Sequence, residues 1–332
     1  MTFSNPNTRI DLVNIALILV AAGAALVMPF PLFLFAYAVL GPLHYLTEIS
    51  WLHDRSYFIP EKKSIPIFLS LGLIATLLLL TNKMPYWFLS AAVYALFGWA
   101  FILTSVKTAT RRDVSIAVLF VTTILFIIFE PPVYMLLFAI FIPTLVHVFA
   151  FTAAFMLSGA LKSRSGWGMA SFLLLIAVAL GLLAYVPKAP HQLSSYVLES
   201  YQPFVFVNET VMSLLFGEGE TRLTVESAAA SKAGIAVMQF IAFAYTYHYL
   251  NWFSKVRVIG WNSISARRRG GLLLVWLAAL GSYAYDYRVG VQALFLLSFL
   301  HVLFEFPLNH RSFSDIGKNL ALLMRPVFSR SA

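Results

Sequence analysis

Two distant stretches of the chain repeat one arrangement of ligating side chains. His44, Glu48 and His53 follow the pattern H-x3-E-x4-H, and so do His301, Glu305 and His310. On an α-helix, residues four apart are only about 40° out of line, so each leading His and its Glu leave the same face. A residue nine positions on would point about 180° away if the helix continued. His53 and His310 are therefore expected at or just past helix ends, where the chain turns back. Imidazole and carboxylate together suit a divalent cation such as iron, manganese or zinc. A single copy would read equally well as a His–Glu hydrogen bond. Two copies, each in an apolar run, favour a metal, because a Glu within hydrocarbon costs on the order of 3 kcal/mol and needs a partner.

The surroundings of these residues are those of a membrane protein. The chain is 60% hydrophobic and 11% charged, with a mean hydropathy of +0.83, and a soluble domain needs far more polar surface. The absence of cysteine excludes disulfides, thiolate zinc, iron–sulfur clusters and a cysteine nucleophile. The net charge of +9 implies no nucleic-acid partner; in so apolar a chain it marks cytoplasmic loops. No Gly-rich phosphate loop or nucleophile elbow is present.

Hydrophobic runs predict an all-α bundle of about ten transmembrane helices in a single domain (1–332). The runs lie at roughly 11–28, 32–52, 65–82, 86–106, 113–129, 133–158, 167–186, 232–252, 271–286 and 290–309. Assigned alternately, the loops place Arg55, Lys62, Lys107, Arg111, Lys162, Lys255, Arg267–Arg269 and Arg311 on one side, with few basic residues opposite. By the positive-inside rule both termini are cytoplasmic, and a bacterial inner membrane is the expected location. The segment 187–231 becomes an acidic, partly ordered extracytoplasmic connector. Val197, Leu198, Tyr201 and Phe204 offer an interfacial face within it.

This topology orders the histidines. His44, His147, His248 and His301 fall on the second, sixth, eighth and tenth spans, all running from outside to inside. With His53 and His310 at the cytoplasmic mouth, six of the seven histidines and two glutamates are expected to converge. The expected metal set is thus His44, Glu48, His53, His147, His248, His301, Glu305 and His310, enough for one or two ions. Tyr245, Tyr247, Tyr249, Asn251, Thr47 and Ser50 are available as supporting partners. The motifs lie on the second and tenth spans and run the same way, which opposes both tandem duplication and the inverted repeats of many transporters.

Gly41-Pro42-Leu43-His44 through Glu48, His248 within Tyr-His-Tyr, and Leu300-His301 through Glu305 to His310 resemble the Brp/Blh membrane family, whose members cleave β-carotene to retinal with iron. The resemblance implies that His44, His248 and His301 are iron ligands. The chain departs from the family in carrying Glu where Asp is usual and in lacking a His on the fourth span. Paired-His boxes of membrane desaturases are absent. The expected function is a non-haem iron oxidoreductase, with zinc or manganese as other possible metals. Its expected partners are a lipid-soluble carotenoid, isoprenoid or acyl substrate and a redox partner. A haem-binding electron carrier and a proton- or metal-coupled transporter are the alternatives.

Overall fold

The computed structural model describes residues 6–59, 62–81, 83, 85–130, 137–186, 193–217, 223–255, 260 and 264–324, and every regular element among them is helical. In order these are α1 (Pro6–Val27), α2 (Pro29–His53), α3 (Ile65–Leu80), α4 (Tyr86–Ser105), α5 (Ala109–Phe129), α6 (137–163) and α7 (Gly166–Ala184). They continue with α8 (Ser195–Tyr201), α9 (Val205–Phe216), α10 (Val225–Ala230), α11 (Lys232–Phe253), α12 (Ala266–Tyr285) and α13 (Tyr287–Met324).

A helix occupies each of the ten apolar segments, but among the described residues seven helices (α1, α2, α4, α5, α6, α7 and α13) are long and apolar enough to cross a membrane. The apolar stretch of α3 is shorter, Ile65–Leu78, and α12 opens on Arg267, Arg268 and Arg269. The case of α11 is different. It carries Gln239, Thr246, His248 and Asn251, all buried, and its exposure is low almost all round. A helix enclosed by protein needs no lipid-compatible surface, so its polarity rises without penalty. At the other extreme α5 exposes Val114, Val118, Val121, Leu125 and Ile128. Such a continuous apolar face on the outside is suited to hydrocarbon.

Two helices organise the packing. α11 lies against α1, α2, α7 and α10, whereas α13 lies against α2, α3, α4, α6 and α12. Each is the axis of its own core. Phe30, Phe33, Tyr201 and Phe243 gather on the α11 side; Leu52, Phe68, Leu96, Phe304 and Phe306 gather on the α13 side. The histidines lie where the two cores meet.

The segment 187–231 differs from the expected connector. Residues 187–192 and 218–222, His191 among them, lie outside the described residues, but the rest forms α8, α9 and α10. Val197, Tyr201, Phe204 and Val207 are buried in the core, with Phe30 and Phe33 packed edge-on against Tyr201 at 5.0 and 5.5 Å. The apolar spacing is irregular because the winding tightens to a 3-10 turn over Gln202–Phe204, around Pro203. That turn changes the period of the pattern in mid-segment.

Contacts between helix ends gather several polar segments at one end of the bundle. Arg268 donates to the Asp54 carboxylate at 2.7 Å and to the Ser50 carbonyl, joining the end of α2 to the start of α12. The Arg268 hydrogen bond holds the Asp54 carboxyl below its ordinary pKa. Ser165, before α7, donates to Asp11 on α1. After α2 the chain turns through Ser56, Tyr57 and Phe58, with φ of 52°, 55° and 55°, a left-handed run that costs roughly 1–2 kcal/mol per residue. Tyr57 stacks on Phe304 at 4.1 Å and Arg311 lies over Phe58 at 5.1 Å. These contacts hold the turn against α13.

Candidate metal centre

Local winding aims the histidines. α2 widens to π geometry over Ala36–Leu40, just before Gly41 and Pro42. Proline has no N–H and its ring collides with the carbonyl four residues back, a conflict that a wider turn relieves. α6 is wound the same way over Leu137–Phe151, around Pro143. Each residue inserted into a helix rotates the rest of that helix by about 100°. His44 thus leaves α2 just after a widened turn, and His147 leaves α6 from within one. At Gly41 a Cβ would lie 3.0 Å from the Tyr45 hydroxyl and 3.2 Å from that of Tyr249. Its absence admits the Tyr45–Tyr249 hydrogen bond of 3.0 Å.

Four helices each deliver one imidazole to a common centre. His44 (α2), His147 (α6), His248 (α11) and His301 (α13) are all buried. The ring centres of His44 and His248 are 4.6 Å apart, and His147 lies 4.9 Å from both His248 and His301. The Nε2 atoms of His44 and His248 approach to 3.0 Å, as do those of His147 and His301. One ligand atom each from His44, His147 and His301 lies within 4.8 Å of the others, a grouping able to hold a metal ion.

Both glutamates join this centre. Glu48 Oε2 lies 3.0 Å from His44 Nε2, and Glu305 Oε2 lies 3.0 Å from His147 Nδ1. The two carboxyls are electrostatic neighbours. Asn309 donates to Glu305 at 3.3 Å. Thr152 fixes His248 through Nδ1 at 2.7 Å, leaving Nε2 to face inward. No motif marks Thr152, which has only its place five residues after His147 to single it out. Of the expected supporting groups, Thr47 instead receives the Trp252 indole N–H at 2.9 Å. Tyr247 reaches away to Asn14 and Met156.

His53 and His310 are not brought to the centre. His53 is exposed, 3.6 Å from Asp54, because α2 stays helical through it and a residue nine positions after His44 points to the opposite side. His310 lies against Phe97 and Phe101, with Nε2 3.3 Å from the Phe97 carbonyl. The expected turn after Glu305 does not occur: α13 runs on through Pro307 to Met324. A residue nine positions after His301 then points to the opposite side.

The donor set fits a metal on its own geometry. His44 Nε2 has one proton or one lone pair to offer, yet both Glu48 Oε2 and His248 Nε2 stand 3.0 Å from it. Glu48 Oε2 and His147 Nδ1 have close neighbours but no aligned hydrogen bond. With bonds of about 2.1 Å, ligand atoms at adjacent corners of an octahedral shell are about 3.0 Å apart. A cation also meets the cost of burying two carboxylates. All donors are nitrogen or oxygen, the choice of iron, manganese or zinc rather than of soft metals.

The cluster divides two cavities. An aromatic one of about 340 Å³ is lined by Tyr37, Tyr45, His147, Phe204, Tyr245 and His301. A more polar one of about 410 Å³ is lined by His44, Glu48, Thr152, His248, Lys255 and Glu305. Desolvation lowers the Lys255 pKa to about 8, against the pull of Asp11 and Glu305. One wall of the centre is thus mainly aromatic, and the other carries more charged and amide side chains.

Comparison with family models, curated proteins and solved structures finds no match to this chain. Its class therefore rests on the fold and the site: described residues that are all-helical in their regular elements, seven membrane-length apolar helices among them, and a buried histidine cluster able to bind a metal.

Proposed function

We propose that the protein is a membrane-embedded non-haem metal oxidoreductase, with iron its metal and a carotenoid, isoprenoid or acyl chain its substrate. The observation that carries this reading is the convergence of four imidazoles from four helices, with Nε2 pairs 3.0 Å apart. His44, His147, His248 and His301 are the nitrogen ligands in this reading, and Glu48, beside the inward-facing Nε2 of His44, is the carboxylate ligand. Glu305 orients His147 through Nδ1, as carboxylates behind metal-bound histidines do. A redox metal held there would pass electrons from the C–H or C=C bond being oxidised to dioxygen, the terminal oxidant. The aromatic cavity excludes water and brings a lipid to His147 and His301, while the polar cavity supplies protons past Glu48, Glu305 and Lys255. Ten spans, cytoplasmic termini, a bacterial inner membrane and a redox partner at the polar end complete the proposal. It extends the resemblance to the Brp/Blh family, with His44, His248 and His301 at the shared positions.

Elemental analysis of protein purified anaerobically in detergent tests it. Roughly one or two iron ions per chain are expected, because the donors exceed one shell with open positions. Failure to retain any transition metal, even after reconstitution with ferrous iron, overturns the reading. A haem needs imidazoles on opposite faces of a macrocycle, whereas these rings meet edge to edge with no plane between them. The visible spectrum is accordingly expected to lack an intense Soret band. A transport pathway would be lined by polar groups along its length, whereas between Arg288 and the histidines the aromatic cavity is walled mainly by rings.

A further inference from the structure

The aromatic cavity follows one face of α13 from its first turn to the histidines. Arg288, Gln292, Phe295, Phe299 and Val302 line it, at the three- and four-residue steps that make one stripe on a helix. From Arg288 to His301 the axial distance is about 20 Å, at 1.5 Å per residue. The two ends differ in chemistry. His147 and His301 close the buried end, whereas Arg288 is exposed beside Gln292 at the other. Between them the walls are mainly rings, among them Phe33, Tyr245 and Phe295. A volume of about 340 Å³ drawn out along that length leaves room for one chain rather than for a wide molecule.

We propose that this cavity takes a long-chain carboxylate, headgroup outward, with its methyl end against His147 and His301. The inference rests on the metal-oxidoreductase reading only for what happens at the buried end. A guanidinium matches a carboxylate through two parallel hydrogen bonds, and the Gln292 amide, one turn deeper, adds a neutral donor. Asp286, two residues before Arg288, turns its carboxylate to the Val289 N–H at 2.9 Å and so caps the start of α13. At about 1.3 Å per carbon, from ordinary C–C geometry, the distance from Arg288 to His301 corresponds to a chain of about sixteen carbons. The groups that would react therefore lie near the methyl terminus, far from the acid.

Hexadecanoate and methyl hexadecanoate, titrated into the detergent-solubilised full chain and read by native mass spectrometry, test the assignment. The acid is expected to bind at least about tenfold more tightly than the ester, the scale of one lost charge-assisted pair. R288Q should abolish that preference, R288K should keep part of it, and the metal content of both should match the unaltered protein. Equal binding of acid and ester, or an unchanged preference in R288Q, overturns the inference. Hexadecanoate carrying a diazirine at its methyl end should label peptides around His147 and His301; labelling at Arg288 overturns the orientation. Metal retained without acid selectivity removes this inference alone. Acid selectivity in a chain that holds no metal removes the oxidoreductase reading alone.

Discussion

In the first copy of the repeated motif the glutamate addresses the histidine of its own helix; in the second it addresses a histidine of another. Glu48 sits 3.0 Å from His44 Nε2, the same nitrogen that faces His248. Glu305 passes its own His301 and meets the Nδ1 of His147, whose Nε2 faces His301. The first carboxylate thus stands among the inward-facing nitrogens, and the second stands on the far side of a ring whose Nε2 faces inward. Spacing on a helix fixes which side chains share a face. Which nitrogen they address is set by the neighbouring helix and its winding.

Breaking the inner ring gives the largest expected effect. H44A and H301A should each reduce bound metal to background in elemental analysis, because each removes an Nε2 from the inward-facing set. If either variant kept its metal, the roles assigned to both copies would fail. The next effect separates the two glutamates. E48Q should lower metal affinity by more than E305Q, for which the loss is about 10- to 100-fold, the usual cost of removing a partner behind a ligand. Equal losses would erase the asymmetry, and the reverse order would exchange the two roles. T152V sharpens the same comparison from the side of His248. A loss of about tenfold is expected, since Thr152 is the hydroxyl that aligns its ring.

The third residues of the motifs should matter least to the metal. H53A, exposed beside Asp54, is expected to leave metal content unchanged, and H310A to do likewise. Loss of metal in either would return these residues to the site. The smallest effect concerns the Asp54–Arg268 contact near the end of α2. Its partners are part-exposed, so D54N should destabilise by less than about 1 kcal/mol in thermal melts. The folded-state pKa of Asp54 is lowered by Arg268. Its contribution is therefore present above the unfolded carboxylate pKa and lost as pH falls through the lowered one. The melts of D54N and the unaltered protein should converge at acid pH.

Much of this arrangement could be read from the chain before any coordinates. The repeated His–Glu spacing marked His44, Glu48, His301 and Glu305. The parity of the spans placed His147 and His248 on helices running the same way, and all six meet. What escaped the sequence was local winding and the side-chain directions it sets. Nothing in the apolar run before Gly41 announces a π turn, and Pro143 alone does not say that Leu137–Phe151 is wound wide. Continuation of α13 through Pro307 carried His310 away from the others. The change of period at Pro203 hid α8 and α9 within an apparent connector. Thr152 is an ordinary residue on its own helix and acquires meaning only from a ring on α11.

The enclosure of α11 bears on how the chain is made. A helix bearing Gln239, Thr246, His248 and Asn251 partitions poorly into hydrocarbon by itself. The neighbours that surround it, α1, α2 and α7, are all synthesised earlier. Burial of this helix is then a docking event against neighbours made before it, so the later histidine-bearing helices, α11 and α13, reach the cluster after α2 and α6.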